Sequence, residues 1–245
     1  KEIHDCRRVK KNGKGTYEEI FDNIKKILQR TNIRLRIRVN VDSENMWAQE
    51  RLLEELIELD NTNLSVCYYR TTNNTDSYEN KKILSLSKFA QLMDRIYEDY
   101  HDKIQIECGV NAYNQIKELL ECEFLVYPRV SYCERGYIYL LNYDGNIYTC
   151  GEAVGNEQFK LCTINGFVQD SERYKQKAPH SVMEREELAD CLKCEVNTIC
   201  GGGCELARKK KKRFCEKKEI IKTINEMYNR RLDWNINKRQ DRSEK

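Results

Sequence analysis

Hydrophobic positions in the first 120 residues follow two alternating periodicities. Residues 17–30 place apolar side chains three and four positions apart, which predicts an amphipathic helix with Thr16 as its N-cap. Residues 33–41 alternate strictly between apolar and polar side chains, which is typical of a strand. The pattern then predicts a helix opened by Ser43 or Asn45, a strand over 64–69, a helix capped by Ser87, a strand over 103–108 and a helix from about Asn111 to Leu120.

Alternating helices and strands predict an α/β fold with a parallel sheet. A complete (β/α) barrel of eight units needs about 250 residues, whereas residues 1–127 hold three to four units. We therefore expect residues 1–127 to form a partial TIM-like barrel. The edge strands of a partial barrel are exposed and must be covered by another structural element.

The character of the sequence changes after residue 127, where tyrosine, glycine and cysteine replace the long amphipathic segments. Residues 137–149 predict a β-hairpin around Asp144-Gly145. Residues 215–229 predict a helix with one apolar face, which is formed by Ile220, Ile221, Ile224, Met227 and Tyr228. The sequence therefore predicts a small cysteine-rich α+β domain over 128–228 and a loose polar tail over 229–245.

Composition excludes several functional classes. The 43 Lys and Arg residues nearly balance 40 Asp and Glu residues, so we expect no nucleic-acid partner. No run of about 18 apolar residues predicts a membrane span. The chain opens at Lys1 with neither an initiator Met nor a signal sequence, so we expect a piece of a longer, cytoplasmic polypeptide. Cysteines in such a protein more often bind metal than form disulfides.

Twelve cysteines are present, and seven of them lie in a regular arrangement within the last 113 residues. The first part is Cys133-x11-Gly145-x4-Cys150. The second part is Cys191-x2-Cys194-x5-Cys200-x3-Cys204, with Cys215 eleven positions further on. Thiolates at such separations can surround one soft metal centre, and the glycines at 201–203 let the backbone turn closely around it. The spacing alone leaves both 4Fe–4S clusters and a zinc ribbon open.

The arrangement of all seven cysteines over about residues 128–220 resembles the SPASM domain of radical S-adenosylmethionine enzymes. Upstream, residues 1–8, 13–16 and 37–40 resemble, in the right order, the second half of the same family's barrel. This resemblance identifies the chain as the C-terminal part of such an enzyme.

The resemblance implies two auxiliary 4Fe–4S clusters bound by this chain. The ligands of the first are Cys133, Cys150 and Cys204, and this cluster keeps one open iron. The ligands of the second are Cys191, Cys194, Cys200 and Cys215. We expect two further cysteines near these sets, Cys122 and Cys162, to be ordinary buried thiols.

The family's Cys-x3-Cys-x2-Cys motif, whose 4Fe–4S cluster binds and cleaves S-adenosylmethionine, is absent from these 245 residues. We therefore expect this chain alone to be inactive. The resemblance implies that the complete enzyme forms a 5′-deoxyadenosyl radical and takes electrons from a donor such as a ferredoxin or flavodoxin. It further implies that Arg8 contacts the methionine carboxylate of S-adenosylmethionine. Three arginines on one strand face, Arg34, Arg36 and Arg38, would line a polar barrel interior.

The expected substrate is a peptide or protein, and two alternatives stay open. Sulfatase-maturing members of the family, which form formylglycine, carry Asp after the cysteine that matches Cys150. Gly151 stands there in this chain, which favours other peptide maturation. The remaining alternative is a non-catalytic iron–sulfur or zinc module on a truncated barrel.

Overall fold

The computed structural model describes residues 1–71, 82–121, 139–157, 159–167, 189–204 and 215–243. These residues belong to two compact units, which are described separately. The first unit holds residues 1–71 and 82–113, and the second holds the described residues from 114 onwards. The expected domain boundary near residue 127 lies outside the described residues and stays a prediction.

The first unit alternates helices and strands as the hydrophobic pattern predicts. Its elements are α1 (Glu2–Arg7), α2 (Tyr17–Arg30), β1 (Leu35–Val41), α3 (Gln49–Ile57), β2 (Leu64–Arg70), α4 (Leu86–Tyr100) and β3 (Gln105–Cys108). A 3₁₀ turn over Met46–Ala48 stands between Asn45 and α3, so the third helix starts later than expected. The predicted helix α5 (Asn111–Leu120) follows β3 and continues beyond the end of this unit.

The three strands form one parallel sheet in the order β1-β2-β3, which confirms the predicted parallel arrangement. Leu35 is paired with Leu64, and Ser65 with Gln105. One face of the sheet is apolar, and together with α3 and α4 it supplies the core of the unit. The largest fully buried side chains of this unit are Leu53, Leu56, Leu64, Tyr68, Leu84, Leu86, Phe89, Leu92, Met93, Ile96 and Tyr113.

The N-cap of α4 is Ser85, and the prediction of Ser87 is wrong. The Ser85 hydroxyl accepts a hydrogen bond from the Lys88 backbone N–H at 3.3 Å. Ser87 lies inside the helix and is 2% exposed. The apolar face extends one turn further towards the N-terminus than the sequence pattern indicates, because Leu86 is also buried.

The start of α2 is capped from a distance. Thr16 occupies the N-cap position, but its hydroxyl donates to the Arg8 carbonyl instead of capping the helix. The Asp5 carboxylate accepts hydrogen bonds from the backbone N–H groups of Thr16 and Tyr17, both at 2.9 Å. These groups are among the orphan donors of a helix start, so Asp5 supplies the cap that Thr16 does not.

The second unit contains an antiparallel sheet in the order β4-β5-β6, formed by Leu140–Leu141, Asn146–Tyr148 and Lys160–Thr163. The predicted hairpin is present as β4 and β5, joined by residues 142–145. Short helices follow at α6 (Ile164–Phe167), α7 (Ala189–Leu192) and α8 (Asn197–Cys200). The long helix α9 spans Lys217–Ser243.

Helix α9 departs from the sequence expectation in two ways. Tyr228, predicted on the apolar face, is 51% exposed, while Ile220, Thr223 and Met227 are buried. The expected loose tail is wrong as far as Ser243, because the helix continues to that residue without an intervening Gly or Pro. In the described ranges no helix, α9 included, has both the length and the apolar character needed to cross a membrane.

The capping contact predicts that Asp5→Ala lowers the thermal midpoint of unfolding, whereas Asp22→Asn, an exposed change on α2 itself, leaves it unchanged. Hydrogen bonds from the Tyr17 and Thr16 N–H groups hold the pKa of Asp5 below its ordinary 3.8. The stabilisation is therefore complete above that pH and is lost as the pH falls through the lowered pKa. Circular dichroism melts between pH 2 and 7 measure this loss of stability. If Asp5→Ala leaves the midpoint at pH 7 unchanged, Asp5 does not cap α2.

Candidate functional site

Six of the seven predicted cysteine ligands lie in the described part of the second unit. Cys133 lies outside the described residues, as does Cys122. Cys162 is half-buried on β6, opposite Ile147 of β5. None of the six described cysteines forms a disulfide. Disulfide formation therefore uses none of these six thiols.

Cys150 and Cys204 lie together although 54 positions separate them. Both pack against a small buried cluster of Tyr148, Ala153 and Phe159. Burial raises the pKa of the Cys150 thiol, backbone N–H groups that follow it oppose this shift, and the neighbouring Cys204 adds to it. The end of the hairpin and the end of the glycine run therefore meet at these two thiols.

A second group of thiols surrounds Cys200. Burial is the main cause that raises the pKa of Cys200, and negative charge at Glu216, Cys191 and Cys215 adds to the shift. The Gly202 N–H opposes the shift by hydrogen bonding to the thiol. Cys200 at the end of α8 thus has Cys191 of α7 and Cys215, just before α9, as electrostatic neighbours.

Cys194 belongs to the turn that joins α7 to α8. Its N–H donates to the Cys191 carbonyl at 3.1 Å, and its own carbonyl accepts from the Asn197 N–H at 3.0 Å. Beside it, the Lys217 ammonium forms an ion pair with Glu195 at 2.8 Å. Glu195 raises the pKa of Lys217 most, and the nearby Cys194 and Cys215 raise it further. The ion pair therefore links the turn that holds Cys194 to the start of α9.

Three consecutive glycines reverse the backbone between Cys200 and Cys204. Gly201, Gly202 and Gly203 have φ angles of 59°, 80° and 76°, all in the left-handed region that residues with a Cβ adopt reluctantly. The Gly203 N–H donates to the Cys200 carbonyl at 3.1 Å. This geometry brings the chain from the second group of thiols to Cys204 in four residues.

The donor chemistry of these groups suits a soft metal centre. Within the described ranges, however, no three His, Cys, Asp or Glu side chains stand close enough together to hold a metal ion. Metal binding would therefore require the thiols to draw closer. Between Cys194 and Cys200, the buried side-chain oxygen of Asn197 has no hydrogen-bond partner among the described residues, and thiolates, which are also acceptors, would not supply one. Sequence reasoning missed Asn197, because a polar residue in a turn is ordinary.

The first unit presents a polar surface on the face of the parallel sheet opposite its apolar core. Arg36 of β1 forms an ion pair with Glu107 of β3 at 2.8 Å, across the intervening β2. The Arg38 guanidinium lies 4.1 Å from the centre of the Tyr69 ring. Tyr69 packs so closely on Gly109 that a Cβ there would lie 2.1 Å from the ring. On this face, Glu107 therefore neutralises Arg36, and the Tyr69 ring holds Arg38 in place.

Arg34 precedes β1 and is exposed, so it does not belong to the strand with Arg36 and Arg38. Arg8 is also exposed and follows α1 directly. Its neighbour Arg7 makes a bidentate contact with the buried Asp42 carboxylate, at 2.6 and 3.3 Å. The structure thus assigns a structural contact to Arg7, which the sequence did not single out. The expected contact of Arg8 with S-adenosylmethionine stays a prediction.

No family model matches the sequence, and a search of curated proteins finds no significant match. Solved structures of the anaerobic sulfatase-maturating enzyme anSMEcpe, a radical SAM/SPASM protein, do resemble this chain. The native enzyme with bound AdoMet is 17% identical, with a TM-score of 0.60, and the match covers 94% of this chain and 66% of that chain.

Two peptide complexes give similar values. Native anSMEcpe with bound AdoMet and Kp18Cys peptide is 18% identical, with a TM-score of 0.58 and coverage of 94% of this chain and 67% of that chain. The complex with Cp18Cys peptide is 18% identical, with a TM-score of 0.60 and the same coverage. This chain thus spans about two thirds of the length of these structures. At the coarse level, its mixed α/β fold with a parallel sheet matches the fold of these structures.

Proposed function

We propose that this chain is the C-terminal part of a radical S-adenosylmethionine enzyme with a SPASM domain, and that the complete enzyme modifies a peptide or protein. The observation that carries the proposal is the fold likeness, which extends over 94% of the chain and so includes both the parallel sheet and the cysteine-rich region. Peptides bound in two of the similar structures support a peptide substrate.

The cysteine-rich unit would hold two auxiliary 4Fe–4S clusters, which supply electron transfer when bound. The closed set is Cys191, Cys194, Cys200 and Cys215, and the open set is Cys133, Cys150 and Cys204. Support comes from the thiol neighbours: Cys150 has Cys204 beside it, while Cys200 has Cys191 and Cys215. The glycine run would link the sets, because Cys200 and Cys204 stand at its two ends.

In the complete enzyme the parallel sheet would be part of the barrel, with the Arg36–Glu107 and Arg38–Tyr69 pairs on its inner face. A charged face suits a polar peptide and the S-adenosylmethionine that the similar structures bind. A third 4Fe–4S cluster and the Cys-x3-Cys-x2-Cys motif would come from sequence outside these 245 residues. A ferredoxin or flavodoxin would supply electrons.

Sulfatase maturation is a second candidate, because the similar structures belong to a sulfatase-maturating enzyme. Gly151 argues against it, since the resemblance places an Asp at that position in sulfatase-maturing members. The complete enzyme should therefore leave a sulfatase-derived cysteine peptide unconverted. Formylglycine detected in that peptide by mass spectrometry would favour the second candidate instead.

Iron content tests the cluster assignment. After anaerobic reconstitution this chain should be brown and hold about eight irons, because each of two clusters contains four. Cys200→Ser should lose about four of them, since a closed thiolate set then lacks one ligand. Cys6→Ser changes an exposed thiol of the first unit and is the matched control, with no loss of iron. A colourless protein with one or two zinc ions, as the non-catalytic zinc module predicts, contradicts the proposal.

Because the Cys-x3-Cys-x2-Cys motif is missing from these 245 residues, we expect that this chain alone does not cleave S-adenosylmethionine. Incubated with dithionite and S-adenosylmethionine, the reconstituted chain should release no 5′-deoxyadenosine, because it lacks the triplet that binds the cleaving cluster. Chromatography of the reaction measures the nucleoside. A longer polypeptide that includes an upstream triplet is the positive control. Release by the chain alone would show that another cluster in it cleaves S-adenosylmethionine.

A further inference from the structure

Arg38 of β1 is held in one position by two contacts. Its guanidinium lies 4.1 Å from the centre of the Tyr69 ring, and its Nε–H donates a hydrogen bond to the Asn40 side-chain oxygen at 3.2 Å. Tyr69 is itself fixed, because its ring lies against Gly109, where a Cβ would be 2.1 Å away. An arginine held in this way loses less conformational entropy on binding a ligand than a mobile side chain does.

The positive charge of Arg38 is not compensated by the described residues around it. Glu107 forms an ion pair with Arg36 at 2.8 Å, whereas no carboxylate in the described ranges forms one with Arg38. Burial raises the pKa of Tyr69 above its ordinary 10.0, a hydrogen bond with Cys67 raises it further, and the neighbouring arginines oppose this only in part. The Tyr69 phenol is therefore neutral at neutral pH and leaves the charge of Arg38 unbalanced.

The terminal NH2 groups of Arg38 suit a carboxylate. Asn40 uses the Nε–H group, and the terminal groups have no protein acceptor in the part of the chain that the structure describes. A guanidinium presents its N–H groups in a rigid fork whose parallel donors match the two oxygens of a carboxylate. Because Arg38 is exposed, such a ligand reaches it without displacing a protein partner.

The groups that support Arg38 lie at the carboxyl end of the parallel sheet. Asn40 and Tyr69 pair in register, each one residue before the end of its strand, and Gly109 directly follows β3. Ligands of parallel α/β folds bind at the carboxyl ends of the strands. The position of this fixed, unbalanced charge therefore favours a role in binding.

We propose that Arg38 binds a carboxylate group of the peptide substrate, and that Tyr69 positions its guanidinium for this contact. The proposal rests on the function proposed above, which supplies the peptide. An acidic side chain and a peptide C-terminus present the same carboxylate chemistry, so both sources are tested. S-adenosylmethionine also carries a carboxylate, for which Arg8 is the expected partner, and it therefore serves as the competing ligand.

NMR of the chain labelled with nitrogen-15 in its arginines tests the proposal. The Nε–H signal of Arg38 is identified by its absence in Arg38→Gln. The first probe is a tripeptide with blocked ends and one glutamate between two glycines. Its titration should shift the Arg38 signal to saturation and leave the signal of Arg34, which is exposed before β1, in place. The corresponding glutamine peptide with a free C-terminus tests the main-chain carboxylate, and its blocked form is the uncharged control.

Substitutions of Tyr69 test its positioning role. Tyr69→Leu removes the ring, so the guanidinium becomes mobile and the peptide affinity measured at the Arg38 signal should fall about fivefold, the upper range for an exposed ion pair. Tyr69→Phe keeps the ring and should bind like the wild type. The matched charge control is Arg34→Gln, which removes the same charge from the neighbouring exposed position and should leave the affinity at Arg38 unchanged.

Several outcomes overturn the proposal. The carboxylate site is refuted if neither carboxylate peptide shifts the Arg38 signal, if the uncharged peptide shifts it equally, or if S-adenosylmethionine alone saturates it. Equal affinities in wild type and Tyr69→Leu refute the positioning role. Iron is measured on the same samples. A chain with about eight irons and an unresponsive Arg38 refutes the carboxylate site alone, whereas an iron-free chain whose Arg38 binds the peptide refutes the proposed function.

Discussion

The second unit brings together thiols that are far apart in sequence, with Cys150 and Cys204 packed on one small buried cluster. In the described parts of this unit the strands have two to four residues, and three of the helices have four. Elements this short bury little apolar surface, and small units of this kind usually need cross-links or metals. The buried cluster of Tyr148, Ala153 and Phe159 ends at two cysteines. Proposed metal ligation would thus add cross-links to a core that is small among the described residues.

The first unit is held together by apolar packing instead. Its long amphipathic helices and its parallel sheet bury a continuous set of large apolar side chains. The opposite sheet face carries two arginines: Arg36 forms an ion pair with Glu107, and Arg38 stacks on the Tyr69 ring. Glu107 offsets the charge of Arg36, whereas Arg38 keeps its positive charge above a neutral ring.

The order of elements in the first unit could be predicted because periodicity of three to four, or of two, is a local property of the sequence. The contact of Asp5 with the start of α2 could not, since it joins residues eleven and twelve positions apart through a side chain. The cap at Ser85 was missed because Leu86 and Ser87 are buried by tertiary packing. The spacing of the cysteines predicted a metal site and the family resemblance implied the ligand sets, but neither gave any indication of Asn197 or of the Glu195–Lys217 pair.

The glycine run at 201–203 affects how future sequence comparisons should be interpreted. All three residues have left-handed φ angles, and a side chain at any of them would cost about 1 kcal/mol or more in backbone strain. Glycine would therefore be retained there in any relative that keeps this turn, whether or not it binds iron. Retention of the three glycines in such a relative reports the shape of the backbone alone. Only the thiols on either side can distinguish a metal-binding descendant from one that has lost its clusters and kept its fold.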